Sequence, residues 1–372
     1  MLNQVLTDYL NDIHAKGLYR EKQATFLGGE RLDFSSNDYL SLRSDPRIKK
    51  AYSRGVEKHP VGSGGSMVIC GYHPAHKELE QAFKDALNVD ACLLFSSGYV
   101  ANLSVLGLLG QVKTGIFLDK KMHASIYDGL VLSQATFQRY RHNDLADLTL
   151  KLDQTQAHGV ILTEGIFSMS GQQAPLNQLV ALGQQYQKEV IVDEAHSFGL
   201  LGRKGLGAVV GSGLGQDDVP LRIIPFGKAF AGCGAVVVGK AIWVDALQQA
   251  ARPHIYSTGM SPAIAYGLMK TLEIISLADD RRQHLFEMVG YFKSQIANSS
   301  LTWAASDSPI QQLHLGCPLL AQSVSKKLWE KGIQCVAIRQ PTVNKKETGL
   351  RIVLNYAHQR ADIDYLFESL HH

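Results

Sequence analysis

Short apolar runs alternate with stretches of helical periodicity from about residue 90 onward. The runs are rich in Val, Ile and Leu and contain few polar residues, which is typical of strands buried on both faces. Between them lie amphipathic stretches near 123–133, 144–155 and 175–186, long enough for crossover helices. The runs occupy 91–95, 115–118, 159–163, 190–193, 222–226 and 234–239, and ATFQRY at 135–140 is a seventh candidate.

This alternation predicts an α/β fold in which a mostly parallel, seven-stranded sheet carries helices on both faces. The pattern changes after residue 240, with helical periodicity through 241–251 and again from Pro262 to about Ser299. The tail reads IQQLHLG, a helix near 318–331, QCVAIR, LRIVLN and a last helix, which is an α+β pattern. We therefore predict an N-terminal segment over 1–45 that joins the small domain, a large domain over 46–272 and a smaller C-terminal α+β domain over 273–372.

Length and charge narrow the class of protein. The chain has 372 residues, more than the ~250–300 at which a single core stops growing. Apolar residues make up 45% and charged residues 19%, values that exclude a disordered chain. The 37 basic residues exceed the 34 acidic ones by only three and are scattered, so we expect no nucleic-acid partner.

Neither a membrane segment nor a disulfide framework is predicted. The start carries Asp8 and Asp12 and lacks the apolar stretch of a signal peptide. The uncharged window 91–112 is long enough to span a bilayer, but its polar residues and glycines favour a buried strand that runs into a helix. The five cysteines are odd in number and widely spaced, which predicts no metal site and reduced, mostly buried thiols in a cytoplasmic protein.

Ligands of open α/β sheets bind at the carboxyl ends of the strands, so the residues that follow each strand are the first candidates for chemistry. Ser96-Ser97-Gly98-Tyr99 follows the first run and precedes a helix. Small residues and a helix N-terminus can cradle a phosphate. The simpler alternative is a strand-to-helix turn in which Ser97 is the N-cap.

Two further strand ends carry ionisable residues. Asp193 ends the run that continues as VDEAHSFG, where it could cap a helix, bind magnesium or hold a protonated ring nitrogen of a cofactor. Lys228 stands in FGKAF, where it is either an exposed loop lysine or, if desolvated, a nucleophilic amine for Schiff-base chemistry. The two residues are 228 − 193 = 35 positions apart, one helix-plus-strand crossover, so they should emerge from nearby strands. With the phosphate turn they supply the three anchors that pyridoxal 5'-phosphate needs.

The chain resembles the α-oxoamine synthases, a family of fold-type I pyridoxal-phosphate enzymes, and the resemblance spans nearly the whole chain. The motifs that carry it are FSSNDYL at 34–40, GSGGS at 62–66, GYHPAHKELE at 71–80, SSGYVAN at 96–102, HAS at 123–125, TEGIFSMSG at 163–171, VDEAHSFG at 192–199, FGKAF at 226–230, YSTGMSP at 256–262 and PTV at 341–343.

The resemblance implies a role for each cofactor residue. Lys228 would bind the cofactor covalently and remove the Cα proton of the substrate, and Asp193 would keep the pyridinium nitrogen protonated. His196 would bond the phenolic oxygen, and His123 would stack on the pyridine face. Gly98, Tyr99 and Ser168 would also lie at the cofactor.

The resemblance also implies substrate contacts and a dimer. Arg351 would bind the amino-acid carboxylate with help from Asn37, although an arginine in a strand is usually only solvated. Thr342 and Arg20 match positions that contact substrate in the family. The side chains of Ser257 and Thr258 would reach the phosphate in the neighbouring subunit, which implies a homodimer with shared active sites.

Two departures from the family pattern stand out. Pro225 occupies a position three residues before the lysine where the family commonly has Thr or Ser, so one phosphate contact is missing. PTV is followed by Asn344, Lys345 and Lys346 instead of Pro and Gly, which affects the contacts to the acyl chain and its thioester.

The resemblance is strongest to the biotin-pathway branch of the family. It implies a decarboxylative condensation of L-alanine with a pimeloyl thioester of coenzyme A or of an acyl carrier protein. A glycine acetyltransferase, a 5-aminolevulinate synthase or another acyl-chain synthase would use the same chemistry on other substrates. A catalytically idle relative that acts as a binding or scaffold protein is the alternative from another class.

Overall fold

A computed structural model describes residues 1–22, 31–155 and 158–371. The strands are β1 (Leu32–Asp33), β2 (Ala91–Phe95), β3 (Gly115–Asp119), β4 (Phe137–Tyr140), β5 (Gly159–Glu164), β6 (Lys188–Asp193), β7 (Leu221–Pro225), β8 (Ala235–Gly239), β9 (Ile310–His314), β10 (Ile333–Gln334), β11 (Val336–Ile338) and β12 (Gly349–Val353).

The α-helices alternate with these strands. They are α1 (Leu2–Ala15), α2 (Pro46–Lys58), α3 (Pro74–Leu87), α4 (Gly98–Gln111), α5 (Ala124–Ser133), α6 (Leu145–Leu152), α7 (Leu176–Gln185), α8 (Ala208–Gly211), α9 (Ala241–Ala250), α10 (Arg252–Ile255), α11 (Pro262–Ser276), α12 (Asp279–Ala297), α13 (Pro318–Glu330) and α14 (Arg360–His371). Short 3-10 helices cover Arg203–Gly205 and Lys345–Glu347.

The chain forms two compact units. The sheet unit consists of Asp38–Ser168 and Gln173–Arg282. The terminal unit consists of Met1–Asn37, Met169–Gln172 and Gln283–His372.

The sheet unit contains seven strands in the order β2-β8-β7-β6-β5-β3-β4. The pairs among β7, β6, β5, β3 and β4 are parallel, whereas β8 pairs antiparallel with both β2 and β7. The predicted mostly parallel seven-stranded sheet is therefore confirmed. The window 91–112 is also as predicted, since β2 leads directly into α4.

Both faces of this sheet are covered by helices. Val160 and Leu162 of β5 pack in one core cluster with residues of α4, α5 and α9. Ile161, between them, packs in a second cluster with residues of α6 and α7. Because successive side chains of a strand point to opposite faces, burial on both faces requires the uninterrupted apolar runs seen in the sequence.

The terminal unit has the predicted α+β composition. Strands β11, β12 and β9 form an antiparallel sheet in that order, and β1 pairs with β10 in parallel.

The stretch predicted as helical from Pro262 to about Ser299 is divided at Leu277 and Ala278 into α11 and α12. Asp279 and Asp280 occupy the first turn of α12, where negative charge favours a helix start.

The cysteines correct one prediction. All five are free, but Cys70, Cys233 and Cys317 are exposed, and only Cys335 is fully buried. The exposed ones lie in loops or, for Cys317, at the cap of α13, where no layer covers the side chain. Over the same described ranges, no helix combines the length and apolar character that crossing a bilayer requires.

Candidate active site

A cavity of about 330 Å³ lies at the carboxyl ends of the strands of the sheet unit. Its walls come from the segments that follow β2, β3, β5, β6 and β7, which is the position expected for a ligand site in an open α/β sheet. The structure brings together seven predicted cofactor residues in this cavity, namely Gly98, Tyr99, His123, Ser168, Asp193, His196 and Lys228.

The turn between β2 and α4 forms one wall. Ser97 accepts a hydrogen bond from the backbone N–H of Val100 at 3.2 Å and is the N-cap of α4. The simpler of the two interpretations, a strand-to-helix turn capped by Ser97, is therefore correct. The first N–H groups of a helix have no intrahelical acceptors, and Gly98 and Tyr99 present this end of α4 to the cavity. The turn is therefore both a helix cap and a candidate anion site.

Pro225 packs directly against this turn. A Cβ atom on Gly98 would lie 2.5 Å from Cγ of Pro225, so only glycine fits beside the proline ring. Pro225 is the last residue of β7 and lies beyond the residues of β7 that pair with β6. A missing N–H is tolerated there, but the position offers the cavity no hydrogen-bond donor.

Asp193 is the last residue of β6 and its side chain is buried. Its Oδ1 accepts the backbone N–H of Ala195 at 2.9 Å, and its Oδ2 accepts Nδ2 of Asn102 at 2.9 Å. Two donors hold the carboxylate in a fixed orientation at the cavity wall. As for the magnesium alternative, the described residues include no group of three or more His, Cys, Asp or Glu placed to hold a metal ion.

His196 lies one turn beyond Asp193, and its Nδ1 is 2.6 Å from the hydroxyl of Tyr39. Both side chains are buried. Tyr39 was not singled out in the sequence as a site residue, although it stands within the FSSNDYL motif. The motif pointed to this part of the chain, but the contact itself joins residues 157 positions apart and cannot be seen in the sequence.

Lys228 stands on the loop between β7 and β8. The carbonyl of Lys228 accepts the N–H of Ala231 at 2.8 Å, and the carbonyl of Phe226 accepts that of Gly232 at 2.9 Å, so the loop is a closed turn. Phe226 and Phe230 on either side pack with ring centroids 5.0 Å apart. The lysine is half-buried, so its position is set by a packed loop.

His123 precedes α5 and is its N-cap. Its Nδ1 is 2.8 Å from Oγ of Ser125, and the ring of Tyr99 lies edge-on at 6.4 Å between centroids. Loss of solvation lowers the pKa of His123, the nearby Asp193 carboxylate opposes this, and the Lys228 ammonium lowers the pKa further. These effects place His123 in the field of both Asp193 and Lys228.

Glu164 is a cavity residue that the sequence analysis did not single out. It is the last residue of β5, opposite Asp193 in the register of β5 and β6, and is 2% exposed. Its Oε1 accepts the backbone N–H of His123 at 2.7 Å, and its Oε2 accepts that of Ser168 at 3.1 Å. Burial, reinforced by the Asp193 charge, raises the pKa of Glu164 well above its ordinary value.

The predicted substrate residues lie in the terminal unit. Nη2 of Arg351, at the centre of β12, donates to Oδ1 of Asn37 at 2.8 Å, and Arg351 is 8% exposed. An arginine in a strand is usually only solvated, but the side chain of Arg351 is buried and bonded to Asn37. Thr342 and Arg20 are exposed. Burial, and after it the Arg20 charge, lowers the pKa of Arg339. The carbonyl of Arg339 accepts the N–H of Thr342 at 3.0 Å, so these residues lie near one another.

Ser257 and Thr258 do not line the main cavity. They are exposed between α10 and α11 and border a second, smaller cavity of about 20 Å³. Ser96 lines both cavities.

The chain is similar in sequence and in structure to known proteins. The sequence model of the family described as "Aminotransferase class I and II" matches residues 30–370. The 8-amino-7-oxononanoate synthase of Marinobacter nauticus is 36% identical over 98% of this chain and 96% of its own. The structure of 8-amino-7-oxononanoate synthase from Francisella tularensis aligns with a TM-score of 0.81 and 32% identity, over 91% of this chain and 96% of that one. A serine palmitoyltransferase variant from S. paucimobilis with a bound PLP–myriocin aldimine aligns with a TM-score of 0.86 and 26% identity, over 91% and 86%.

Proposed function

We infer the activity of this chain from its family, because it belongs to the class I and II aminotransferases and, among them, to the 8-amino-7-oxononanoate synthases. We propose that it condenses L-alanine with a pimeloyl thioester, releasing carbon dioxide and the thiol to give 8-amino-7-oxononanoate for biotin biosynthesis. The thiol carrier is coenzyme A or an acyl carrier protein.

The cofactor of the proposed reaction is pyridoxal 5'-phosphate, and the cavity residues fit it. An amine, a buried carboxylate and a helix N-terminus face one cavity, as the aldehyde, ring nitrogen and phosphate require. Asn102 also lines the cavity, and its buried Oδ1 has no hydrogen-bond partner among the described residues, so a polar acceptor there is left for a ligand. When bound, the cofactor supplies a protonated ring that accepts the electron pair left at the substrate Cα.

The residues of the chain have separate tasks in this proposal. Lys228 would hold the cofactor covalently through its amine, and the same amine, once free, would take the Cα proton of the substrate. Asp193 would keep the ring nitrogen protonated, and His196 would bond the phenolic oxygen. His123 would lie at the ring and orient the bound amino acid.

The phosphate and the substrates engage further residues. Gly98 and Tyr99 contribute the helix end to the phosphate, and Ser168 completes the cofactor contacts. Arg351 binds the alanine carboxylate through its planar fork, with its orientation held by Asn37. Thr342 and Arg20 contact the acyl substrate.

The assembly that we propose is a cytoplasmic homodimer with shared active sites. Ser257 and Thr258 are exposed and lie outside the main cavity of their own chain, in keeping with a contact to the phosphate in the partner subunit. The free thiols are in keeping with a reducing compartment.

The observation that carries the proposal is the convergence of Lys228, Asp193, His196 and His123 on one cavity. Its test is an assay of the purified, cofactor-loaded protein with alanine or glycine against pimeloyl, acetyl, succinyl and palmitoyl thioesters. We expect turnover with alanine and the pimeloyl thioester, abolished in Lys228→Ala. Turnover only with glycine, or only with another acyl group, would reject the substrate assignment. If no pair of amino acid and thioester is turned over, the proposed enzyme activity is wrong.

A further inference from the structure

A chain of hydrogen bonds joins Asp193 to His123 through the side chains of Asn102 and Ser125. Asn102 of α4 donates from Nδ2 to Oδ2 of Asp193 at 2.9 Å and to Oγ of Ser125 at 2.9 Å. Oγ of Ser125 is in turn 2.8 Å from Nδ1 of His123. Asn102 is 2% exposed and Ser125 is fully buried, so water does not compete for the bond between them, whereas His123 at the end of the chain is exposed.

The direction of donation in this chain is fixed from the Asp193 end. A carboxylate oxygen only accepts, so the Asn102 amide must present its NH₂ group to Asp193. The reversed amide would place two acceptors together and remove a donor from Ser125. With the observed orientation, both N–H groups of Asn102 are used, one toward each neighbour.

The fixed amide determines the hydroxyl of Ser125 and then the ring of His123. Ser125 Oγ accepts from Asn102, so its single hydrogen is left for Nδ1 of His123. The backbone N–H of Ser125 also points to this nitrogen, at 3.3 Å. Nδ1 therefore receives two donors and carries no proton, so the neutral ring keeps its hydrogen on Nε2.

We propose that Asn102 and Ser125 are positioning residues that hold His123 as the neutral imidazole with its proton on Nε2, and that the contact with Asp193 orients the Asn102 amide for this task. The inference rests on the proposed function in giving His123 a place against the cofactor. A neutral ring there avoids repulsion with the protonated pyridine ring, and Nε2–H remains the one donor of His123 for the bound amino acid.

The groups around His123 fit this assignment. Loss of solvation and the Lys228 ammonium lower the pKa of His123, whereas Asp193 and Asp128 raise it, and the net direction is down. Tyr99 presents only a ring edge to His123, since its hydroxyl donates to Asp128. The Glu164 carboxyl accepts the backbone N–H of His123 and does not bond the ring.

The test is ¹⁵N NMR of protein labelled in its histidine rings, without cofactor and loaded with it, between pH 5.5 and 8.5. The His123 signals are assigned by their loss in His123→Gln. We expect the neutral ring of the wild-type protein to carry its proton on Nε2, with a bare Nδ1. In Ser125→Ala and in Asn102→Ala we expect a mixture of tautomers and a rise of the His123 pKa by about one unit, the size of one lost hydrogen bond.

Two controls separate positioning from a general loss of structure. Ser125→Thr keeps the hydroxyl and should retain the wild-type tautomer. Ser104→Ala removes another buried hydroxyl from α4, one that donates to the carbonyl of Val100, and should leave the His123 signals unchanged.

A wild-type His123 protonated on Nδ1, or one that the Ser125 and Asn102 variants leave unaltered, would overturn the inference. The NMR signals require neither turnover nor substrate. Failure of the pimeloyl assay with the tautomer as expected would therefore reject only the proposed function.

Discussion

The hydroxyl of Tyr39 lies 2.6 Å from Nδ1 of His196, and both side chains are buried, with His196 lining the cavity. One ring nitrogen of His196 is thus occupied by a protein group. This contact orients the imidazole ring, so Tyr39 sets how His196 meets the phenolic oxygen of the cofactor in the proposed function.

Tyr39→Phe removes this hydroxyl and leaves Nδ1 of His196 without that partner. We expect the free energy of unfolding to fall by about 1–3 kcal/mol and cofactor affinity to fall about fivefold. Calorimetry and titration with pyridoxal phosphate measure the two effects.

Tyr140→Phe is the matched control, because Tyr140 is equally buried but lies outside the cavity and bonds Thr163. It should lose comparable stability and keep its cofactor affinity. Equal weakening of cofactor binding in both variants would show that Tyr39 has no particular link to the site.

The raised pKa of Glu164 predicts that the free energy of unfolding depends on pH. Its pKa is raised in the folded protein, first by burial and then by Asp193, so the folded state keeps a proton that the unfolded state loses above about pH 4.5. The stabilisation is fully present below that pH and is lost as pH rises toward the folded pKa, at up to about 1.4 kcal/mol per pH unit.

Glu164→Gln cannot ionise, so its stability relative to the wild-type protein should improve between pH 5 and pH 8. Urea unfolding at several pH values measures this difference. Glu189→Gln, at an exposed glutamate of β6, serves as the control and should show no such trend. A pH-independent difference for Glu164→Gln would mean that Glu164 is ionised in the folded protein.

Pro225 predicts a gain of cofactor affinity on substitution. The ring packs against Gly98 but supplies no hydroxyl, where the family commonly has one for the phosphate. Pro225→Ser should tighten pyridoxal-phosphate binding about fivefold, the value of one added hydrogen bond. Pro220→Ser changes the proline that immediately precedes the first residue of β7, and it should leave the affinity for pyridoxal phosphate unaltered. Weaker binding in Pro225→Ser would show that the packing of the proline matters more than the missing hydroxyl.

Substitution of Arg351 should weaken the binding of alanine without weakening the binding of pyridoxal phosphate. Arg351→Lys keeps the charge but loses the planar fork and the bond to Asn37, so KM for alanine should rise about 10–100-fold. The affinity for pyridoxal phosphate should stay the same. Arg360→Lys, at an exposed arginine over the ring of Tyr291, is the control. An unchanged KM for alanine in Arg351→Lys would remove Arg351 from the substrate site.

The sheet could be predicted from the sequence because burial on both faces leaves a local signal. Six of the seven strands contain a short apolar run, and the polar residues that follow them mark the carboxyl ends. The exception is β4, FQRY, which lies at the edge of the sheet and is buried only at Tyr140. Asp193 and Lys228 could be singled out for the same reason, since their positions relative to strands are visible in the chain itself.

The supporting residues could not be predicted in this way, because their roles depend on contacts between distant positions. Asn102 meets Asp193 across 91 positions, and Glu164 meets His123 across 41. Glu164 ends a strand within the motif at 163–171 and Asn102 stands in the motif at 96–102, but nothing local in the sequence identifies the partners of either residue. Likewise, the break at Leu277 and Ala278 interrupts no apolar periodicity, so one long helix was expected where the structure has two.

Reduction of the cofactor-loaded protein with borohydride, followed by peptide mass spectrometry, tests the central claim most directly. A Schiff base is fixed by this treatment at the lysine that formed it. We predict a pyridoxyl phosphate group on Lys228, together with loss of the visible absorbance band, and neither in Lys228→Ala. A label on another lysine, or no label at all, would contradict the assignment of this cavity as the cofactor site.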